Sequence, residues 1–248
     1  MKLLRHCLIL LTICLPLLAG CASTPIADPT PQELYARGET SFSKSRYQEA
    51  IGYWKQVKEQ FPEPELMAKA EIGIANAHFL DDQFIEAGAA YEDFRRLHPA
   101  HDLAQFALYR QALSSYNLIT GIDTDQIPVK NALALFESFV KQYPASEYVV
   151  KVREKIADCR AKLAQYEIYV GRFYYRTDAY QAAIGRLEGA LTQFPDYAGH
   201  DETLYYLAKA SLETKQKDKA QAALSRLIRE YPKSSYLGDA RRLLADKL

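Results

Sequence analysis

The stretch from Gly171 to Pro195, GRFYYRTDAYQAAIGRLEGALTQFP, decides how the rest of the chain is read. In it Ala183 follows Gly171 after 12 residues, Leu187 follows after four more, and Pro195 after eight more. The same spacing recurs as Gly38, Ala50, Trp54, Pro62, then as Ala75, Ala87, Tyr91, Pro99, and again as Ala208, Ala220, Leu224, Pro232. Each copy ends on an aromatic-Pro or His-Pro pair: Phe61-Pro62, His98-Pro99, Phe194-Pro195, Tyr231-Pro232, with Tyr143-Pro144 as a fifth.

A small residue, then Ala-x3-large residue, then Pro is the tetratricopeptide pattern. The small residue on a first helix and the Ala on a second are expected to face each other where antiparallel helices cross. The large residue one turn on fills the groove between repeats. The Pro ends the second helix, because it lacks an N–H and biases its predecessor away from helix. One hairpin cannot bury its apolar face alone, so hairpins stack. The fold class is therefore all-α: a tetratricopeptide-like solenoid of about five helical hairpins with a C-terminal capping helix. Repeats are placed at 32–65, 66–101, 102–146, 147–198 and 199–232, with the cap over 233–248 and its helix from Ser235 to Lys247.

Two irregularities stand out. In the third repeat Ala112 precedes Ala132 by 20 residues rather than 12, and the surplus holds Gly121-Ile122-Asp123-Thr124-Asp125, a polar loop. Between Pro144 and Gly171 lie 14 residues more than at the other junctions. Fourteen residues are nearly four helical turns, about 21 Å. The reading is a single long helix from Ser146 to Arg176, a span with no Pro and one Gly.

Composition supports one repeat array. The 248 residues carry 31 Lys+Arg against 31 Asp+Glu, 48% hydrophobic residues, 18 Tyr, and 11 each of Gly and Pro. That suffices for a core and excludes global disorder. Zero net charge argues against bulk nucleic-acid binding, which relies on a basic surface.

The N-terminus reads as an address. Lys2 and Arg5 precede an apolar run from Leu8 to Leu18, too short to span a bilayer, and Leu18-Ala19-Gly20-Cys21 follows. That tetrapeptide resembles the lipobox of bacterial lipoproteins, in which cleavage precedes a Cys that is then acylated. Residues 1–20 are thus a lipoprotein signal peptide, and Cys21 is the lipidation site. Residues 21–31, with three Pro, form the tether. Cleavage and acylation leave Cys159 as the remaining thiol, and 29 basic against 31 acidic residues. Ala22 follows Cys21 where inner-membrane lipoproteins resemble one another in having Asp. The expected location is the outer membrane, periplasmic face, held by lipid.

No catalytic constellation is expected, and no cofactor or metal. Phosphate-loop, nucleophile-elbow and His-Glu-x-x-His patterns do not occur. His98 and His101 flank Pro99 and are read as a solvated turn. Asp123 and Asp125 are read as a solvated loop without the rest of a Ca²⁺ motif. Cys159 is read as a buried, inert thiol. The candidate surface is the concave face, lined by Gln32, Tyr35, Glu39 and Phe42 in the first repeat and by Lys69, Ile72, Asn76 and Phe79 in the second. Tyr35, Phe42 and Phe79 with Lys69 and Asn76 suit an extended peptide with aromatic side chains and a carboxylate. The competing reading packs the aromatics between repeats.

The lipobox, five repeats and several local runs resemble the BamD (ComL/YfiO) family of outer-membrane β-barrel assembly lipoproteins. The carriers are Asp123 and Asp125 in the insert, Tyr143-Pro144-x-Ser146-x-Tyr148, Leu163-Ala164-x-Tyr166-Glu167, Tyr174-Tyr175, Ala179-Tyr180-x-Ala182-Ala183-Ile184-x-Arg186 and Leu187-Glu188-Gly189-x-Leu191. The family's usual Asp-Arg-Asp has Thr124 in place of Arg, in a shorter loop. The resemblance implies a scaffold of the Bam complex rather than an enzyme. Its implied partners are POTRA domains of a BamA-like insertase at the C-terminal repeats, unfolded outer-membrane proteins at the N-terminal ones, and other Bam lipoproteins. Arg186 matches the family arginine associated with insertase coupling; as a surface arginine it would pair with Glu188 or Glu167. The alternative is another periplasmic tetratricopeptide adaptor, serving peptidoglycan enzymes or the Tol–Pal system.

Overall fold

The computed structural model describes residues 28–61 and 63–247. The signal-peptide reading, Cys21 and Pro62 lie outside them. Eleven helices and no strand occur among the described residues: α1 Pro31–Ser43, α2 Tyr47–Gln60, α3 Pro64–Leu80, α4 Phe84–Leu97, α5 Ala104–Asn117, α6 Ile127–Gln142, α7 Val149–Arg176, α8 Tyr180–Gln193, α9 His200–Glu213, α10 Lys217–Glu230 and α11 Leu237–Lys247. They pair as five hairpins closed by α11, the all-α solenoid expected from the repeat.

Local chemistry sets the helix ends. Thr30 Oγ1 accepts the Glu33 N–H at 3.2 Å, and the Glu33 carboxylate accepts the Thr30 N–H at 2.9 Å. This capping box, with Pro31 in the first turn, starts α1 inside the segment assigned to the tether. Four of the hairpin turns use one device: a residue in the left-handed region, Ser45, Asp82, Asp178 or Lys215, with φ between 56 and 61°. The next N–H then reaches back to the first helix, as from Arg46 to Ser41 O and from Gln216 to Ser211 O. This is the Schellman arrangement, here without glycine. The third hairpin replaces it with the long insert, where Asp125 Oδ1 accepts the Ile127 N–H, the first amide of α6, at 2.9 Å.

The repeat's packing differs from expectation in one respect. The small residue makes room for the large one. A Cβ on Gly38 would stand 2.3 Å from Trp54 Nε1, and a Cβ on Gly171 would stand 2.7 Å from a Leu187 methyl. Trp54 also lies against Gly73 of the next repeat, 3.1 Å from where its Cβ would be. The indole is wedged between two first helices, while Ala50, Ala87, Ala132, Ala183 and Ala220 are fully buried.

The long helix begins at Val149 rather than Ser146. Ser146 Oγ instead accepts the Tyr148 N–H at 3.3 Å, holding a turn after Pro144. Its two halves serve two repeats. Val149, Val152 and Cys159 pack with Leu108, Phe136 and Phe139 of the third hairpin, while Tyr174 and Tyr175 pack with Ala183, Leu187 and Leu204 further on. The 14 added residues thus close one hairpin and open the next, carrying one helix from one core cluster to another.

Candidate functional site

The N-terminal groove residues fall into two separate clusters. Tyr35 and Phe42 flank Trp54, at 6.2 and 5.6 Å between ring centroids, and Phe42 also meets Tyr47 edge-on. Both rings are half-buried in the first core cluster. Desolvation, with Glu39 nearby, pushes the Tyr35 phenol up to about 12. Asn76 and Phe79 belong to the second cluster. Asn76 Oδ1 accepts the Tyr91 hydroxyl at 2.6 Å, and Phe79 packs edge-on against Phe84 and Tyr91. The aromatics are therefore partly core and partly surface.

Lys69 is exposed and paired with Glu65 at 2.8 Å, one helical turn earlier. A different cation stands over the aromatic surface. The Arg110 guanidinium carbon lies 4.2 Å from the Phe79 centroid and 5.4 Å from that of Phe106. Arg110 makes no ion pair among the described residues, and its Nε is buried without a hydrogen-bond partner. Sequence reading missed it. Carrying the concave register into the third repeat reaches Phe106, and Arg110 stands one turn beyond.

At the other end, Arg186 on α8 donates through Nη1 to Glu167 on α7, at 3.1 and 3.3 Å to the two carboxylate oxygens. Arg186 is 45% exposed. Its guanidinium is held even more firmly charged by Glu167. Glu188 is not its partner; Glu188 takes Lys219 of α10 at 2.7 Å. On the same helix as Glu167, Tyr169 and Phe173 are exposed large side chains. The aromatics that lie near the Arg186 guanidinium are Tyr166 and Tyr174 of α7, and arginine with tyrosine is a combination enriched where interfaces concentrate binding energy.

The remaining sequence candidates are structural. His98 is not a solvated turn residue: its Nε2 meets the nearly buried Glu71 carboxylate at 2.6 Å, and Lys58 meets the other oxygen at 3.1 Å. This network joins the first two hairpins. Cys159 is fully buried, and desolvation pushes its thiol up to about 11. Asp123 and Asp125 form no metal cluster; among the described residues no group of three or more potential ligands gathers. No described helix is long and apolar enough to cross a membrane.

An array of helical hairpins with half-buried aromatics near one end and a half-exposed arginine near the other defines a tetratricopeptide-like solenoid. The chain belongs to the YfiO family of outer membrane lipoproteins, whose pattern it matches over residues 27–223. It is 30% identical over 234 residues to the outer membrane protein assembly factor BamD of Caulobacter vibrioides, covering 92% of this chain and 77% of that one. It is 31% identical over 252 residues to BamD of Rickettsia prowazekii, covering 98% of each. BamD of Neisseria gonorrhoeae is 30% identical over 254 residues, covering 94% of each. Among solved structures, the P58(IPK) TPR domain aligns with a TM-score of 0.45 at 14% identity, covering 88% of this chain and 57% of that one.

Proposed function

We propose that this protein is a scaffold for assembly of outer-membrane β-barrel proteins. It is anchored through acylated Cys21 to the periplasmic face of the outer membrane. The C-terminal repeats dock POTRA domains of a BamA-like insertase, and the array also contacts other Bam lipoproteins. The N-terminal groove receives unfolded outer-membrane proteins. The observation that carries this reading is the chemical contrast between the two surfaces of one continuous array. Arg186 sits half-exposed on a carboxylate, ready to exchange or share that partner. Phe79 under Arg110, with Tyr35 and Phe42 further along, suits aromatic side chains and a carboxylate of an extended strand.

The test is affinity capture of the tagged chain from solubilised outer membranes. Barrel-assembly subunits in the eluate are expected; amidases or Tol proteins in their place would support the adaptor alternative. Cys21→Ala should leave the folded array intact and release it from the membrane fraction. Retention of that variant would show that protein contacts suffice and the lipid is secondary.

A further inference from the structure

A cleft of about 380 Å³ opens at the end of the array, between α9, the α9–α10 turn and α11. Its apolar floor is Leu212 and Leu243, and its rim is Lys209, Lys215, Lys217 and Lys247. Glu213 is the single carboxylate lining it among the described residues. Lys209 is fixed by cation–π contact, its Nζ 4.9 Å from the Tyr175 centroid and 5.4 Å from that of Tyr205. Lys215 and Lys217 make no ion pair among the described residues, although 13 such pairs occur elsewhere. Like charges gathered around one cleft repel unless something anionic joins them.

Lys215 supplies a second, independent observation. It occupies the left-handed turn position, φ 61°, that Ser45, Asp82 and Asp178 fill in the other hairpins. That conformation favours Gly, Asn and Asp, so a lysine is an uncommon occupant. Lys215 complements the C-terminus of α9, a contribution that the fold does not require, since Asp82 and Asp178 close α3 and α7 with the opposite charge.

We infer that this cleft receives an acidic segment of a partner polypeptide, with an aliphatic side chain on Leu212 and Leu243 and flanking carboxylates on Lys215 and Lys217. The leucine floor favours a peptide over a bare anionic headgroup, which has no aliphatic side chain to seat between the charges. The inference stands apart from Arg186 and Glu167 and does not depend on the assembly reading.

Lys215→Gly separates binding from folding. Glycine relieves the left-handed turn, so the thermal midpoint should hold or rise. Binding of a fluorescein-labelled peptide alternating Glu and Leu, read by anisotropy on the full chain, should weaken roughly two- to fivefold. Adding Lys217→Ala should weaken it about tenfold, while Lys55→Ala on exposed α2 should leave it unchanged. Three results would overturn the inference. The first is equal binding of a Gln-for-Glu peptide. The second is equal weakening by Lys55→Ala, which would indicate diffuse electrostatics. The third is capture by phosphatidylglycerol vesicles without peptide binding, which would make the cleft a membrane contact.

Discussion

Arg186 rests on Glu167 at 3.1 Å, so the half-exposed arginine proposed as the docking residue also clips α8 to the long helix α7. Arg186 is 45% exposed and Glu167 19%, so water reaches the guanidinium side of the pair, and ion pairs open to solvent contribute ~0–1 kcal/mol to stability. Arg186→Ala should therefore cost less than about 1 kcal/mol of folding free energy. Truncating an interface arginine of this kind costs about 2 kcal/mol or more in binding. Titration with isolated POTRA domains should show that loss while unfolded-barrel peptide binding is spared. Phe42→Ala with Phe79→Ala should do the reverse, at roughly 1–3 kcal/mol of stability each, below the ~3–5 for a fully buried ring. If both variants stay folded and lose both activities equally, the two-surface account fails.

The wedge between Gly38 and Trp54 gives a packing test. Gly38→Ala places a methyl 2.3 Å from Trp54 Nε1, and Gly73 blocks the ring's retreat on its other side. Overpacking of about 1–3 kcal/mol should outweigh a helix-propensity gain of about 1 kcal/mol. Gly52→Ala, with nothing within 4 Å, should instead stabilise by about 0.5–1 kcal/mol. Urea midpoints moving in the same direction for the two variants would refute this packing.

Glu71 is 7% exposed and holds Lys58 and His98 at once. Glu71→Gln keeps the shape and removes the charge that both partners use. A loss of roughly 1–3 kcal/mol is expected, since each partner retains some solvent access. A change under about 0.5 kcal/mol, the range of ordinary surface substitutions, would mean that Lys58 and His98 simply re-solvate.

His200 predicts a pH effect. Its Nε2 lies 2.7 Å from Phe194 O, which can only accept, so Nε2 carries the proton and Nδ1 accepts from Thr203 Oγ1 at 3.2 Å. Desolvation lowers its pKa from 6.5 despite the Phe194 carbonyl, and Arg226 nearby acts in the same direction. The unfolded chain then binds more protons than the folded one between the two pKa values. The stability from neutral His200 is complete above pH 6.5 and is lost as pH falls through the folded value. The stability gap between wild type and His200→Gln should narrow from pH 7.5 to pH 5.5, measured by thermal unfolding at each pH. A constant gap would show that burial does not hold the ring neutral.

Repeat spacing alone set the element order, because Ala-x3-large residue followed by Pro is a constraint of local geometry: helical period, close approach and chain breaking act within one hairpin. The 14 extra residues before Gly171 were legible as helix for the same reason, since they preserve the face. Side-chain partnerships were not legible. Arg186 chose Glu167 and left Glu188 to Lys219, a choice between carboxylates set by the angle at which α8 crosses α7 and α10. His98 turned inward to Glu71, 27 positions away, because the end of α4 meets α3 there. Arg110 came to lie over Phe79 only when α5 stacked on α3 and α4. Local periodicity determines which residues are helical and which are small, and it acts over a few turns. Which charge meets which, and which ring stays half in water, depends on the packing of separate hairpins, a distance relation that adjacent residues do not encode.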